Sequence, residues 1–179
     1  MATVEKTIEV DVPVRTAYNQ WTQFEEFPRF MEGVKEVTQV DDMRIQWHAD
    51  LGGKDERWEA EITSQVPDER IAWRSISGAE NSGIVTFHPV QDGKTQVHLR
   101  IEYQPEGLVE MAGDLLGVVS RRVEGDLERF KKFIESRGDE TGAWRGHIHA
   151  GEVKGEGASG GTARASDGSG GAPEEMRPM

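Results

Sequence analysis

Asp126 is the ionisable residue whose position in the sequence most needs a chemical explanation. It lies in the long helical stretch from Glu106 to Gly138, on the side that carries the apolar residues. A carboxylate in such a place must be paired or protonated, because burial of an isolated charge is costly. Arg122, four residues earlier, is an available partner. Two roles stay open: a tie from the helix to Arg122 or to a neighbouring backbone, and an acid that positions or protonates a ligand.

Arg74 and three tryptophans are further candidates for contact with a ligand. Arg74 lies on a predicted strand whose buried face the pattern leaves open. It either points inward, where it could hold a ligand carbonyl, an enolate or Asp126, or points outward as surface charge. Trp47 and Trp58 share one apolar strand face, and Trp73 precedes Arg74. Aromatic side chains fill protein cores and also form the walls of ligand cavities, so both roles remain open for them.

The sequence contains no common catalytic or cofactor motif. It has no nucleophile elbow, no phosphate-binding glycine loop between a strand and a helix, and no cysteine. His147 and His149, with Glu152 nearby, are a weak metal signal, because two histidines in a flexible segment without cysteine rarely make a site. We therefore expect no catalytic residue, no metal and no cofactor.

The overall composition disfavours several classes of partner. The 179 residues carry a formal net charge of -12 at pH 7, which opposes binding to nucleic acid or to an anionic membrane. No stretch approaches the ~18 consecutive apolar residues of a transmembrane helix, and the N-terminus lacks a signal-peptide pattern. We expect a cytoplasmic protein with no nucleic-acid partner, while its oligomeric state stays open.

The spacing of apolar residues predicts one strand, two short helices, six strands and a long helix, in that order. The first strand runs to Val12, a helix follows over residues 13–23, and Pro28 separates a second helical turn. From Val34 to Tyr103 the apolar period is two and tight turns interrupt it, which predicts an antiparallel sheet. The pattern therefore predicts an α+β fold, with a curved seven-stranded antiparallel sheet wrapped on a long C-terminal helix.

The composition changes after the long helix. Glycine, serine, alanine and acidic residues dominate, and so little apolar content cannot offset the entropy cost of ordering. We expect residues 1–146 to form the folded domain and residues 147–179 to be a Gly-rich, disordered acidic tail. Trp144 indicates that the first residues after the helix dock back on the domain.

The order of elements resembles the START-like, helix-grip (SRPBCC) superfamily, and within it the polyketide cyclase/dehydrase and coenzyme Q-binding branch. The segments that carry the resemblance are residues 12–14 with Tyr18 and Trp21, residues 27–31, 67–75, 82–87 and 125–131. The resemblance implies a cavity between the curved sheet and the long helix, which relatives use for lipids, quinones or polyketides. A shared fold does not choose among these ligands.

Together, the resemblance and the aromatic strands predict a protein that binds a small hydrophobic, cyclic ligand of the lipid, quinone or polyketide type. The expected ligand-binding residues are Trp47, Trp58, Trp73, Arg74, Tyr103, Leu115, Leu116, Val119 and Asp126. One alternative is a polyketide aromatase/cyclase, in which Arg74 and Asp126 supply the electrostatics for closing a poly-β-ketone. Another is a stress-related or interaction protein that has no ligand.

Overall fold

The computed structural model of the chain describes residues 1–51, 53–104 and 112–154, with side chains for all of these except 51 and 112–116. The elements are β1 Ala2–Val10, α1 Val14–Trp21, a 3₁₀ helix Phe24–Arg29, β2 Val34–Gln39, β3 Arg44–Leu51, β4 Lys54–Val66, β5 Arg70–Gly78, β6 Asn81–Val90, a 3₁₀ turn Gln91–Gly93, β7 Lys94–Tyr103, α2 Ala112–Arg137, β8 His147–His149 and β9 Glu152–Lys154.

Strands β1 to β7 form one antiparallel sheet in the order β1-β7-β6-β5-β4-β3-β2. Strands β2 to β7 follow one another because tight turns join them, and β1 closes the other edge by pairing with β7. Register shifts between Val34 and Glu36 in β2 and along β4 are irregularities of the kind that bend and twist a sheet. The predicted α+β helix-grip fold is confirmed, and two short strands beyond the predicted seven are added to it.

The two short helices lie where the sequence predicted them. Helix α1 begins directly after Pro13, which is extended and therefore precedes the helix rather than opening it. The 3₁₀ helix contains Pro28, which lacks an N–H and is better tolerated in a short turn than inside an α-helix. Its phenylalanines, Phe24 and Phe27, are buried and face the sheet.

Helix α2 lies across the sheet and buries the face that the sequence predicted. Val123, Leu127, Phe130 and Ile134 are all buried, and the Phe130 ring lies 4.9 Å from that of Trp21. Gly138 has a positive φ of 83° and ends the helix, because glycine adopts this left-handed conformation without strain. The predicted start at Glu106 falls outside the described residues. No described helix is long and apolar enough to cross a membrane.

Residues 147–154 correct the predicted domain boundary. The chain pairs β8 with β4 through Ser64↔His149 and Gln65↔Ile148, and β9 then pairs with β8. Ile148 is fully buried between two exposed histidines. The hairpin was missed because a glycine-rich sequence follows it directly and its single buried side chain gives no periodic pattern. The folded unit therefore includes residue 154, and residues 155–179 lie outside the described part of the chain.

The segment between α2 and β8 is held against α1 by a cluster of buried polar side chains. The amide of Gln20 donates to Thr141 Oγ1 at 3.0 Å and accepts from the Thr141 N–H at 2.9 Å. Arg145 bridges Asn19 Oδ1, at 2.6 Å, and Asp68 Oδ2, at 2.8 Å. These contacts fix the segment that carries Trp144, which is only 1% exposed. The expected docking of this tryptophan is thus confirmed.

Candidate functional site

A cavity of about 220 Å³ lies between the inner face of the sheet and α2. Its wall consists mainly of apolar side chains from β3 to β7, from the segment of the short helices, and from residues 118–127 of α2. Four of the five tryptophans of the chain lie on this wall: Trp21, Trp47, Trp58 and Trp73. The sheet therefore supplies an aromatic wall and the helix an aliphatic one.

Trp47 and Trp58 form a stacked pair on this wall. They are register partners on β3 and β4, and their rings lie 5.6 Å apart at an interplanar angle of 7°. Phe27 packs beside Trp47 at 5.7 Å. Both indole Nε1 atoms are buried and have no hydrogen-bond partner among the described residues. Cross-strand pairing thus presents a flat aromatic surface with two unused donors.

Trp73 lies on the wall because a glycine stands opposite it. Trp73 pairs with Gly83 of β6, and a Cβ added to Gly83 would lie 2.6 Å from the ring atom Cη2 and 2.9 Å from the Arg100 carbonyl oxygen. The ring therefore covers the glycine. Its Nε1 donates to Asn81 Oδ1 at 3.2 Å, which fixes the orientation of the indole.

We expect Gly83→Ala to destabilise the protein by about 1–3 kcal/mol, the usual cost of overpacking. The added methyl must displace either the Trp73 ring or the β7 backbone. Urea denaturation followed by circular dichroism measures the effect. Gly117→Ala is the matched control: its methyl meets only a flexible Arg121 side chain at 3.4 Å, and it should raise stability by up to about 1 kcal/mol. Equal effects of the two substitutions would contradict the packing argument.

Tyr103 lies at another part of the cavity wall, near the end of β7. Its hydroxyl is buried and has no hydrogen-bond partner among the described residues. Burial raises the pKa of this phenol above its usual value. The hydroxyl therefore stays protonated at neutral pH and keeps its proton as a hydrogen-bond donor.

Asp126 lies on the cavity wall and is tied to its surroundings. Its Oδ1 accepts from the backbone N–H of Glu32 at 3.1 Å and from Arg129 Nη2 at 2.6 Å, and its side chain is 14% exposed. Burial raises the pKa of Asp126, while the hydrogen bonds from Arg129 and Glu32 and the charge of Arg122 oppose that rise. The predicted tie to a neighbouring backbone is present through the Glu32 N–H, but the predicted ion-pair partner was wrong: it is Arg129 and not Arg122.

We expect Asp126→Asn to change how stability depends on pH. Since burial raises the folded-state pKa of Asp126, the folded protein keeps this proton to a higher pH than the unfolded chain. Stability that is present below about pH 4 is then lost as the pH rises through the folded value. Asparagine stays neutral, so the stability of the variant relative to the wild type should increase as the pH rises above about 4.

Urea denaturation at several pH values tests this prediction, and Asp55→Asn provides a control of opposite sign. Hydrogen bonds from Lys35 and His48 lower the pKa of Asp55 to about 2. The wild-type carboxylate at position 55 therefore adds stability as the pH rises from about 2 to 4, and the asparagine variant loses this gain. A pH-independent difference for Asp126→Asn would show that its carboxyl titrates alike in both states.

Arg122 also lines the cavity, although the sequence indicated it only as a partner for Asp126. It is the one cation on the wall among the described residues. Its Nη1 donates to the Asp50 carbonyl oxygen at 3.0 Å, and a Cβ on Gly33 would overlap this atom. The signal in the sequence was its place at the edge of the apolar stripe of α2, one residue before the buried Val123.

The structure places six of the nine predicted site residues on the cavity wall. They are Trp47, Trp58, Trp73, Tyr103, Val119 and Asp126. Leu115 and Leu116 belong to α2, but their side chains lie outside what the structure describes.

Arg74 requires a correction, because it lies on the outer face of the sheet. Its side chain is 63% exposed and its Nη2 lies 3.3 Å from Glu61 Oε1. Trp73 points inward, in register with Ile62 and Gly83, and alternation along the strand turns the next residue outward. Arg74 therefore does not contact the cavity or Asp126.

His147 and His149 lie at the surface, on the exposed side of β8. Within the described ranges, no group of three or more histidine, cysteine or acidic side chains is arranged to hold a metal ion.

Comparison with known proteins places the chain in a family. The pattern of the family described as polyketide cyclase/dehydrase and lipid transport matches residues 10–132. An uncharacterised 17.2 kDa protein of Streptomyces lincolnensis is 53% identical over 149 residues, which are 83% of this chain and 99% of that relative.

Two solved structures show how far the likeness extends. A protein of Deinococcus radiodurans is 30% identical with a TM-score of 0.60, over 76% of this chain and 99% of its own. The Zhui aromatase/cyclase of a Streptomyces species is 18% identical with a TM-score of 0.66, over 79% and 98% of the two chains. At that identity the second likeness shows the fold alone. Since the family pattern covers more than half of the sequence, this chain belongs to the polyketide cyclase/dehydrase and lipid transport family.

Proposed function

We propose that this protein binds a small hydrophobic ligand of one or two rings in the cavity between the sheet and α2. The observation that carries the proposal is the open space beside the stacked pair Trp47 and Trp58. Interiors of proteins are close-packed, so a cavity of this kind leaves its lining without contacts. A flat apolar molecule would supply these contacts. The membership in a family that includes lipid transport is consistent with this role.

The volume of the cavity limits the size of the ligand. A closed apolar cavity of ~150 Å³ holds benzene, whereas pockets for drug-sized molecules begin at about 300 Å³. The 220 Å³ of this cavity lies between these values and fits one or two rings. The alternative without a ligand required a cavity filled by its own side chains, and this volume disfavours it.

The aromatase/cyclase alternative is weakened by the position of Arg74. It needed at least one of Arg74 and Asp126 to face the cavity. Arg74 points away from it. Asp126 lies on the wall, but its carboxylate is already bound by Arg129 and the Glu32 N–H. An extended poly-β-ketone also needs more room than two rings. We therefore propose binding rather than cyclisation.

A series of neutral aryl ketones tests the proposal by size. Acetophenone, 2-acetonaphthone and 9-acetylanthracene carry the same polar group on one, two and three rings. We expect isothermal titration calorimetry and native mass spectrometry to show the tightest binding for the two-ring ketone and weak or no binding for the three-ring one. Failure of all three to bind would contradict the proposal.

A further inference from the structure

We infer that Arg122 anchors a carboxylate of the ligand, so that the natural ligand is a small cyclic or aromatic acid rather than a neutral hydrocarbon or ketone. The inference rests on the proposed function, because it assigns the polar end of a molecule held in the same cavity. Nothing about the apolar wall alone would require an acid.

The first observation is that most N–H donors of Arg122 have no hydrogen-bond acceptor among the described residues. Its side chain is partly buried on the cavity wall, and a guanidinium has five N–H donors. One of them is used, by the neutral Asp50 carbonyl oxygen, and no described carboxylate lies within the 4.0 Å of an ion pair. A partly desolvated cation without a direct ion pair is costly, and a bound carboxylate would relieve this cost.

The second step is that the acidic groups around the cavity form no ion pair with Arg122, whose charge acts on Asp126 from beyond 4.0 Å. Asp126 is held by Arg129 at 2.6 Å and by the Glu32 N–H, and Glu56 lies 3.1 Å from Lys54. Glu80, the remaining acid on the wall among the described residues, is exposed to solvent. The two buried or half-buried acids are thus engaged elsewhere, which leaves the guanidinium available.

The third step is that the backbone holds Arg122 in place before a ligand arrives. The Asp50 N–H donates to the Gly33 carbonyl oxygen at 2.7 Å, and the Asp50 carbonyl oxygen accepts from Arg122. Gly33 leaves the space that the guanidinium occupies, since any Cβ there would overlap it. A positioned guanidinium loses less entropy on binding than a free one, which favours a planar carboxylate.

The fourth step is that the other unpartnered polar atoms on the wall are donors as well. They are Nε1 of Trp47, Nε1 of Trp58 and the hydroxyl of Tyr103. Indole nitrogen donates only, and a protonated phenol can donate. These donors do not repel an acceptor oxygen, but all three are covered by neighbouring atoms, so the preference for an acid rests on the guanidinium of Arg122.

The test compares two ligands of nearly equal shape, 2-naphthoate and the neutral 2-acetonaphthone, by isothermal titration calorimetry at pH 7. We expect the wild type to bind naphthoate about tenfold or more tightly than the ketone, the range of one charge-assisted contact. Arg122→Gln should remove this preference by weakening naphthoate binding about tenfold, while ketone binding changes less than about threefold. Arg122→Lys should recover part of the preference.

Arg121→Gln is the matched control, because Arg121 is the exposed neighbour on α2 and its loss changes the net charge equally. It should leave the preference for naphthoate intact. Equal affinities of the wild type for the two ligands would overturn the role of Arg122 and leave the proposed function standing. An equal loss of naphthoate affinity in Arg121→Gln and Arg122→Gln would also overturn the role of Arg122, because the preference would then come from the net charge and not from a contact. Failure of both ligands to bind would overturn both proposals.

Discussion

Replacement of Trp144 by alanine should lower the free energy of unfolding by about 3–5 kcal/mol, the usual cost of truncating a buried tryptophan. The residue is 1% exposed, although it lies seven residues beyond the end of α2. Domains of this size are stable by about 5–15 kcal/mol, so the loss is a large share of the total. The segment after the long helix would then be part of the core and not an appendage.

Urea denaturation followed by circular dichroism measures this loss, and deletion of residues 155–179 is the control. We propose that these residues lie outside the folded unit, so their deletion should change stability by less than about 0.5 kcal/mol. The loss of stability in Arg145→Ala should lie between that of Trp144→Ala and that of the deletion, because this substitution removes the contacts to Asn19 and Asp68 but no buried indole. A Trp144→Ala variant as stable as the wild type would contradict the role of this segment.

Val119→Phe should weaken the binding of 2-acetonaphthone about 10- to 100-fold, which corresponds to about 1–3 kcal/mol of overpacking against the ligand. Val119 lines the cavity from α2, opposite the aromatic wall, and is only partly buried. Space beside its side chain can accept a phenyl ring. The variant should therefore fold with little loss of stability while its ring occupies the volume of the ligand.

Glu128→Phe is the matched control, because it places the same side chain on the exposed face of the same helix. Its affinity for the ketone should equal that of the wild type. Calorimetry gives both affinities, and urea denaturation confirms that both variants are folded. Unchanged binding by Val119→Phe would place the ligand elsewhere and remove the cavity from the proposal.

The cavity wall shows which side chains the alternation of apolar residues can place on the inner face of the sheet and which it cannot. Alternation placed Trp47 and Trp58 on one face of neighbouring strands, and the structure has them as register partners. Alternation alone could not orient Arg74, because the buried face of β5 depends on its register with Ile62 and Gly83. A shift of one residue would exchange the faces of Trp73 and Arg74. Register is set by pairing between strands, which no local pattern contains.

The ion pairs of α2 show the same limit in a helix. Both Arg122 and Arg129 lie about one turn from Asp126, and only the first was named as its partner from the sequence. The structure pairs Asp126 with Arg129. Arg122 instead donates to the Asp50 carbonyl oxygen and occupies the space beside Gly33. These groups are far away in the sequence. The partner of each arginine on α2 therefore depends on the backbone segments that pack against the helix.

The sequence by itself determined the order of the elements, the antiparallel sheet, the aromatic inner face and the stripe of α2, because the periods of two and 3.6 are local properties of strands and helices. Only the tertiary structure decided that Arg74 lies outside, that Arg122 reaches the cavity, and that β8 completes the fold by pairing with β4. Each of these depends on close approach between distant segments, where differences of a few ångströms separate contact from exposure.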